Sequence, residues 1–206
     1  MALPLIDGIF PALVLAGALT SPFGIVEAGL LIFGGSATVA VILAEMNGTP
    51  REQARTILLL GTIIIPVAVI EAAIAPTIAS VLVMDIFQRF AGLVILTVAA
   101  HTASAKVGEY LPRPGVIIAL GLVASLQPSQ AALTVSYDLG LIARSAATAG
   151  VGVGFALLVA LGATRLRGAV DLDLFRFGSA VALGMLALSV LEVMPTDAPI
   201  ALGVLL

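Results

Sequence analysis

The sequence contains no cysteine, a single histidine (His101) and only 10% charged residues. Each shortage closes off chemistry. Without cysteine there are no disulfides, no thiolate nucleophile and no soft-metal thiolate site, and the redox compartment goes unmarked. One histidine among so few charges leaves neither a metal-ligand cluster nor a spaced nucleophile–base set, which disfavours a membrane enzyme. Carboxylates alone could hold a hard cation only where the fold gathers them. A net charge of −3 without a basic cluster gives no footprint for nucleic acid. No lysine or arginine precedes Arg51, so the first apolar run lacks the positive flank of a secretory signal peptide and is expected to stay in the mature protein.

What is present is apolar. At 61% hydrophobic residues and a mean hydropathy of +1.22, the chain lies far from the balance of a soluble domain. Apolar runs of ~18 residues or more with few charges indicate helical spans. The expected fold class is therefore all-α, a polytopic membrane helix bundle. About six spans and their short loops would use up the chain. Residues 1–206 read as one transmembrane domain: a first repeat over about 9–103, a linker at 104–114, a second repeat over about 115–194, and an apolar tail at 195–206 too short to cross.

Two interruptions organise the apolar runs. The run from Ile9 to Ala44 exceeds the ~20 residues that one straight span requires, and Thr20-Ser21-Pro22-Phe23-Gly24 breaks it. Proline cannot donate within a helix and disfavours helical geometry in the residue before it, so Ser21-Pro22 reads as the N-cap and first position of a new half-helix. Ser125-Leu126-Gln127-Pro128-Ser129-Gln130 breaks a second run, with another half-helix expected from Pro128. Paired breaks in two hydrophobic halves point to a transporter site near the membrane midplane; ordinary proline kinks are the plain alternative. Gly34-Gly35-Ser36 offers a further bend in the first run.

The chain between the breaks has its own order. Thr49-Pro50-Arg51-Glu52 reads as a helix start, with an N-cap, a first-turn proline and an early acid. A second span follows to about Met84, with kinks expected at Pro66 and Pro76, and a third runs to about Ala103. The fourth is expected from Gly115 to about Ala143, the fifth from Ser145 to about Ala163 and the sixth from about Leu174 to Val193. The fifth is rich in small residues that allow close helix approach. Asp85-Ile86-Phe87-Gln88-Arg89-Phe90 before the third span resembles Asp173-Leu174-Phe175-Arg176-Phe177 before the sixth, and in each the acid and arginine are spaced to pair on a helix. Three crossings per half would insert the halves in opposite senses, a 3+3 inverted-topology repeat. Arg51, Arg55, Lys106, Arg113, Arg165 and Arg167 then share one side, against Arg89 and Arg144 on the other. The richer side is expected in the cytoplasm, with both termini outside the cell membrane.

Unwound backbone frees N–H and C=O groups that hydrocarbon cannot satisfy, so the breaks must face protein or a water-filled cavity. Thr20, Ser21, Pro22 and Gly24 with Gln127, Pro128, Ser129 and Gln130 are the expected solute site. Helix starts at the two prolines suit a carboxylate, and freed carbonyls suit a cation. Glu27 and Glu71 lie within apolar runs, where carboxylates are costly and mark function, and Asp138 beside Tyr137 is a third candidate for ion or proton coupling. His101, near a span end, is a proton relay or a boundary residue. The expected function is a secondary transporter for a small polar solute of the neutral amino-acid kind, coupled to H+ or Na+. A cation channel or hard-cation exchanger using Glu27 and Glu71 is the alternative. The partners are then the lipid bilayer, the solute and the coupling ion, with no cofactor, no metal site, no nucleic acid, and homo-oligomerisation open.

Ser21-Pro22-Phe23-Gly24, the basic loop with Arg51 and Arg55, and Phe90-Ala91-Gly92-Leu93 together resemble the MarC family of six-span membrane proteins, within the LysE-type superfamily. That family typically has aspartate-proline-leucine-glycine-asparagine in its first span; here the aspartate position is Ser21 and the asparagine position is Ile25. The resemblance covers roughly residues 10 to 103. It implies export or exchange of small solutes such as neutral amino acids.

Overall fold

The computed structural model describes residues 9–130, 132–133, 135–166 and 169–193. The tail at 195–206 and Arg167 lie outside the described residues, as does the side chain of Gln130. Ten helices are described: α1 (Ile9–Leu15), α2 (Pro22–Ala28), α3 (Ser36–Ala40), α4 (Pro50–Ser80), α5 (Met84–Ala103), α6 (Ala105–Gly108), α7 (Pro114–Ser125), α8 (Leu139–Leu161), α9 (Ala163–Leu166) and α10 (Leu172–Val190). Wide π-type turns, Gly29–Phe33 and Val41–Glu45, extend α2 and α3.

Among the described residues four helices, α4, α5, α8 and α10, are long and apolar enough to cross a membrane. Pro22–Phe33 with Thr38–Glu45 forms a fifth candidate crossing, bent by 53°. The bend falls at Gly34-Gly35, as the sequence suggests. At ~1.5 Å per residue α4 is about 46 Å long, more than a hydrocarbon core of about 30 Å requires, and Arg51, Glu52 and Arg55 all fall in its first turns. Its start is a capping box. The Thr49 hydroxyl accepts from Glu52 N at 3.3 Å, and Glu52 Oε2 accepts from Thr49 N at 2.8 Å. The helix continues through both Pro66 and Pro76. Proline disturbs the carbonyls of the preceding turn, and Ala73 O, in the turn before Pro76, accepts from Ser136 N at 2.8 Å.

Burial on α4 follows one stripe, Ile57, Gly61, Ile64, Ala68, Ala72 and Ala75, while Leu58, Leu59, Ile63, Ile70 and Ile74 are exposed. A helix apolar on its outer face as well as its inner one suits a lipid solvent. Small residues let α8 approach closely on two sides. A Cβ added at Gly61 would lie 3.0 Å from the Val153 side chain, and one at Gly152 would collide with the Phe33 side chain. α8 therefore lies between α4 and the α2 segment. α5 packs on α10 and on α7, with Gly92 against Leu191 and Gly121 against Phe90.

Two expected spans differ. In the first, the interruption is a reversal: Phe10 packs on Phe33 with ring centroids 5.3 Å apart, so α1 turns back, and it lies against α4 and α5. Gly17, at φ +75°, supplies the left-handed residue of that turn. In the second, α7 stops after Ser125, at about 18 Å too short to cross. Pro128 opens only a single 3₁₀ turn, Pro128–Gln130, not a half-helix. The cause is tertiary. Val83 N donates to Ser125 O and Gln127 N to Val81 O, both at 2.7 Å, so the chain leaves its helix to bond across to the end of α4.

Candidate functional site

Close contacts fix how the break segments sit along the bundle. Gly29 lies against the Thr148 carbonyl and Val151, and Gly152 against Phe33, so the α2 segment and α8 run in the same direction. Gly61 lies against Val153 while Ala73 bonds Ser136 just before α8, so α4 runs oppositely. Extended at ~1.5 Å per residue, this register sets Pro22 level with the first turns of α8, Glu71 level with the turn around Ser145, and Glu27 about a turn further along. Residues 126–130, 132–133 and 135–138 pass the same end of α4, where the Ser80 hydroxyl accepts from Ala132 N at 3.1 Å and donates to Ala132 O at 3.0 Å. Both breaks thus gather toward one end of the bundle, away from the middle.

Most polar side chains of the first break are engaged with their own backbone. Ser21 Oγ accepts from Gly24 N at 3.0 Å as the cap of α2, and Thr20 Oγ1 donates to Gly17 O at 2.9 Å. Gly24 has a steric reason to be glycine, because any Cβ there would strike the Ala18 carbonyl. Thr20, Ser21, Pro22, Gln127, Pro128 and Ser129 are exposed on the isolated chain. Asp138 caps α8, accepting from Gly140 N at 2.8 Å, and its other oxygen lies 3.9 Å from Arg144 Nη2. Among the described residues this is the ion pair that forms; the helically spaced pairs Asp85–Arg89 and Asp173–Arg176 do not close. Asp171 caps α10 instead.

Four buried side-chain atoms have no hydrogen-bond partner among the described residues: Glu71 Oε2, Ser145 Oγ, Gln53 Oε1 and His101 Nε2. An unpaired buried polar atom costs about 1–3 kcal/mol, so each marks a place that packing alone does not explain. They fall in two pairs. Glu71 and Ser145 sit at the break end, and Ser145 is fully buried where α8 meets both α4 and the α2 segment. Gln53 and His101 lie toward the other end. Glu27 is half-buried on α2. Sequence reasoning passed over Ser145, whose neighbours Ala146 and Ala147 disguise it as part of a small-residue packing stripe.

It also passed over a cavity of about 520 Å³ at the opposite end, lined by Ala40, Val41, Glu45, Val98, His101, Thr102, Pro114 and Arg176. Four separate segments build it: the π-type turn after α3, the end of α5, the start of α7 and the first turns of α10. Among the described residues Glu45 and Arg176 have neither an ion pair nor a hydrogen bond through their side chains. The His101 ring packs against Gly108, where a Cβ would collide with it. Arg51, Arg55, Lys106, Arg113 and Arg165 belong to this same end, beside the start of α4, the α5–α7 linker and the end of α8. No group of three His, Asp or Glu side chains gathers as a metal site among the described residues.

No curated protein and no solved structure matches the chain. A family model does, over residues 64–191, a stretch holding Glu71, His101, the second break, Ser145 and Arg176. The chain belongs to this family, DUF5794, a family of unknown function.

Proposed function

We propose that the chain is a secondary transporter for a small polar solute of the neutral amino-acid kind, coupled to H+ or Na+, exposing its two ends alternately. One observation carries this. Inside an apolar bundle, non-helical backbone from both halves gathers at the end toward which Glu71 and Ser145 lie, and the buried oxygens of those two side chains lack partners among the described residues. Polar main chain and an unpaired carboxyl are costly in hydrocarbon and belong to solute or ion paths.

The helix pairing supports an inverted repeat. The second helix of each half, α4 and α8, pair antiparallel; so do the third helices, α5 and α10. Corresponding helices meeting antiparallel is what a two-fold axis in the membrane plane requires. The similar Asp-Ile-Phe and Asp-Leu-Phe corners then open equivalent helices at opposite ends. α7 with the 3₁₀ turn Pro128–Gln130 and the α1–α2 reversal stand as the paired first elements. The resemblance of residues 10–103 to the MarC family points the same way.

Charge orients the bundle. The end carrying Arg51, Arg55, Lys106, Arg113, Arg165 and Arg176, against Arg89 and Arg144, is assigned to the cytoplasm. The breaks then open outward, and the end of α10 lies outside. The reversal at 16–21 removes the reason for an outer N-terminus, since that side now depends on residues 1–8, which lie outside the described residues.

Purified protein in liposomes tests the proposal with labelled neutral amino acids and an imposed H+ or Na+ gradient. Saturable, gradient-driven uptake is expected, and Glu71→Gln should remove the gradient dependence. Cation flux without any solute uptake, lost in Glu27→Gln or Glu71→Gln, would instead establish the channel or cation-exchanger alternative.

A further inference from the structure

We propose that the cavity at the basic end is a binding site for a zwitterion with a compact apolar side chain, an aliphatic α-amino acid in size and charge. The inference deepens the transport reading by naming the solute and giving it an inner site, but binding is measured without transport.

The cavity walls divide by chemistry. Glu45 and Arg176 bring one charge of each sign to the same hollow, and neither is neutralised by the protein among the described residues. Two opposite charges close enough to line one cavity and yet unpaired leave room for a ligand carrying the complement of both. A guanidinium fits a carboxylate through paired N–H donors, and a carboxylate accepts from an ammonium. Ala40, Val41, Val98 and Pro114 form the remaining wall and suit a short branched aliphatic group. At about 520 Å³ the volume lies within the roughly 300–1,000 Å³ of small-molecule sites.

His101 is the independent sign of a ligand. It lines the same cavity, and its Nε2 is buried without a partner among the described residues. Thr102 Oγ1 donates to Val98 O at 2.8 Å, so its hydroxyl oxygen stays free to accept from an ammonium.

Calorimetric titration of the intact protein in detergent tests this with three ligands of similar shape: leucine, leucinamide, which lacks the carboxylate, and 4-methylpentanoate, which lacks the ammonium. Leucine should bind, and each truncated ligand should bind about tenfold or more weakly, the loss expected for one charge-assisted contact. Arg176→Gln should erase the difference between leucine and leucinamide, and Glu45→Gln the difference between leucine and 4-methylpentanoate. Both residues are exposed, so the variants should melt at the wild-type temperature. No leucine binding by the folded wild type overturns the proposal, as does equal binding of all three ligands, or discrimination that survives both substitutions. Failure of binding alongside measurable amino-acid uptake would remove this site while leaving the transport reading standing.

Discussion

The two ends of the bundle use their polar residues in opposite ways. At the break end Ser21, Thr20 and Asp138 are occupied in capping helices and holding turns, so they shape the backbone and have little left for a solute. At the basic end Glu45, His101 and Arg176 face one cavity, and their side chains have no partner among the described residues. Proline and glycine mark where a chain bends; unpaired charge marks where it binds. In the proposed transport cycle the break end is the gate and the basic end the solute's seat, with Glu71 and Ser145 between the gate and the middle of the bundle.

The largest effect should come from Glu71. Glu71→Gln keeps the shape and removes the ionisable group, so gradient-driven uptake into liposomes should fall at least about tenfold while leucine binding in detergent stays within about twofold, since less than half a kcal/mol separates such affinities. If binding falls with it, Glu71 belongs to the solute site and the division between the ends is wrong. Next comes packing. Gly152→Ala drives a methyl into Phe33 and to within 2.9 Å of the Gly29 carbonyl, which should cost about 1–3 kcal/mol and lower the melting temperature by several degrees. Gly154→Ala on the same helix meets nothing within 4 Å and should leave it unchanged.

A smaller effect separates the ends most cleanly. Ser21→Ala removes a helix cap and should lower stability by about 1 kcal/mol, with leucine affinity unaltered; Arg176→Gln should do the reverse. A drop in affinity on Ser21→Ala would return solute binding to the breaks. The smallest effect is on acid stability. The Thr49 backbone N–H, then its side chain, hold the Glu52 carboxyl below its usual 4.5, against a slight upward push from burial. A carboxylate with a lowered folded value stabilises the start of α4 above its unfolded value and loses that contribution as pH falls through the folded one. Glu52→Gln should therefore be slightly less stable than wild type at neutral and alkaline pH, with the difference vanishing as the pH falls through the folded value, so that the variant's acid limb is flatter.

Much of the fold follows from local chemistry and was legible in the chain. Thr49-Pro50-Arg51-Glu52 opens α4 as its residue types dictate, Gly34-Gly35 bends the first crossing, and the two similar Asp-led corners each begin a long helix. What escaped depends on contacts between distant residues. The reversal near Gly17 is fixed by Phe10 meeting Phe33, and α7 ends early because Val81 and Val83 bond Gln127 and Ser125. Neither partnership has a spacing to read. The cavity was hidden for the same reason: Glu45, His101 and Arg176 come from three helical segments far apart in the chain, and singly each looks like a boundary residue. Asp138 was the opposite case, conspicuous in an apolar stretch but engaged as a cap.

The most direct test of alternating exposure uses the absence of native cysteine. Single cysteines at Ser129, in the break assigned to the outer side, and at Val41, in the cavity assigned to the cytoplasmic side, are labelled from those sides of sealed vesicles with a membrane-impermeant maleimide. Leucine should change the two labelling rates in opposite directions, one end closing as the other opens. Rates at both sites that stay fixed, or rise and fall together, would contradict an exchange between the two ends.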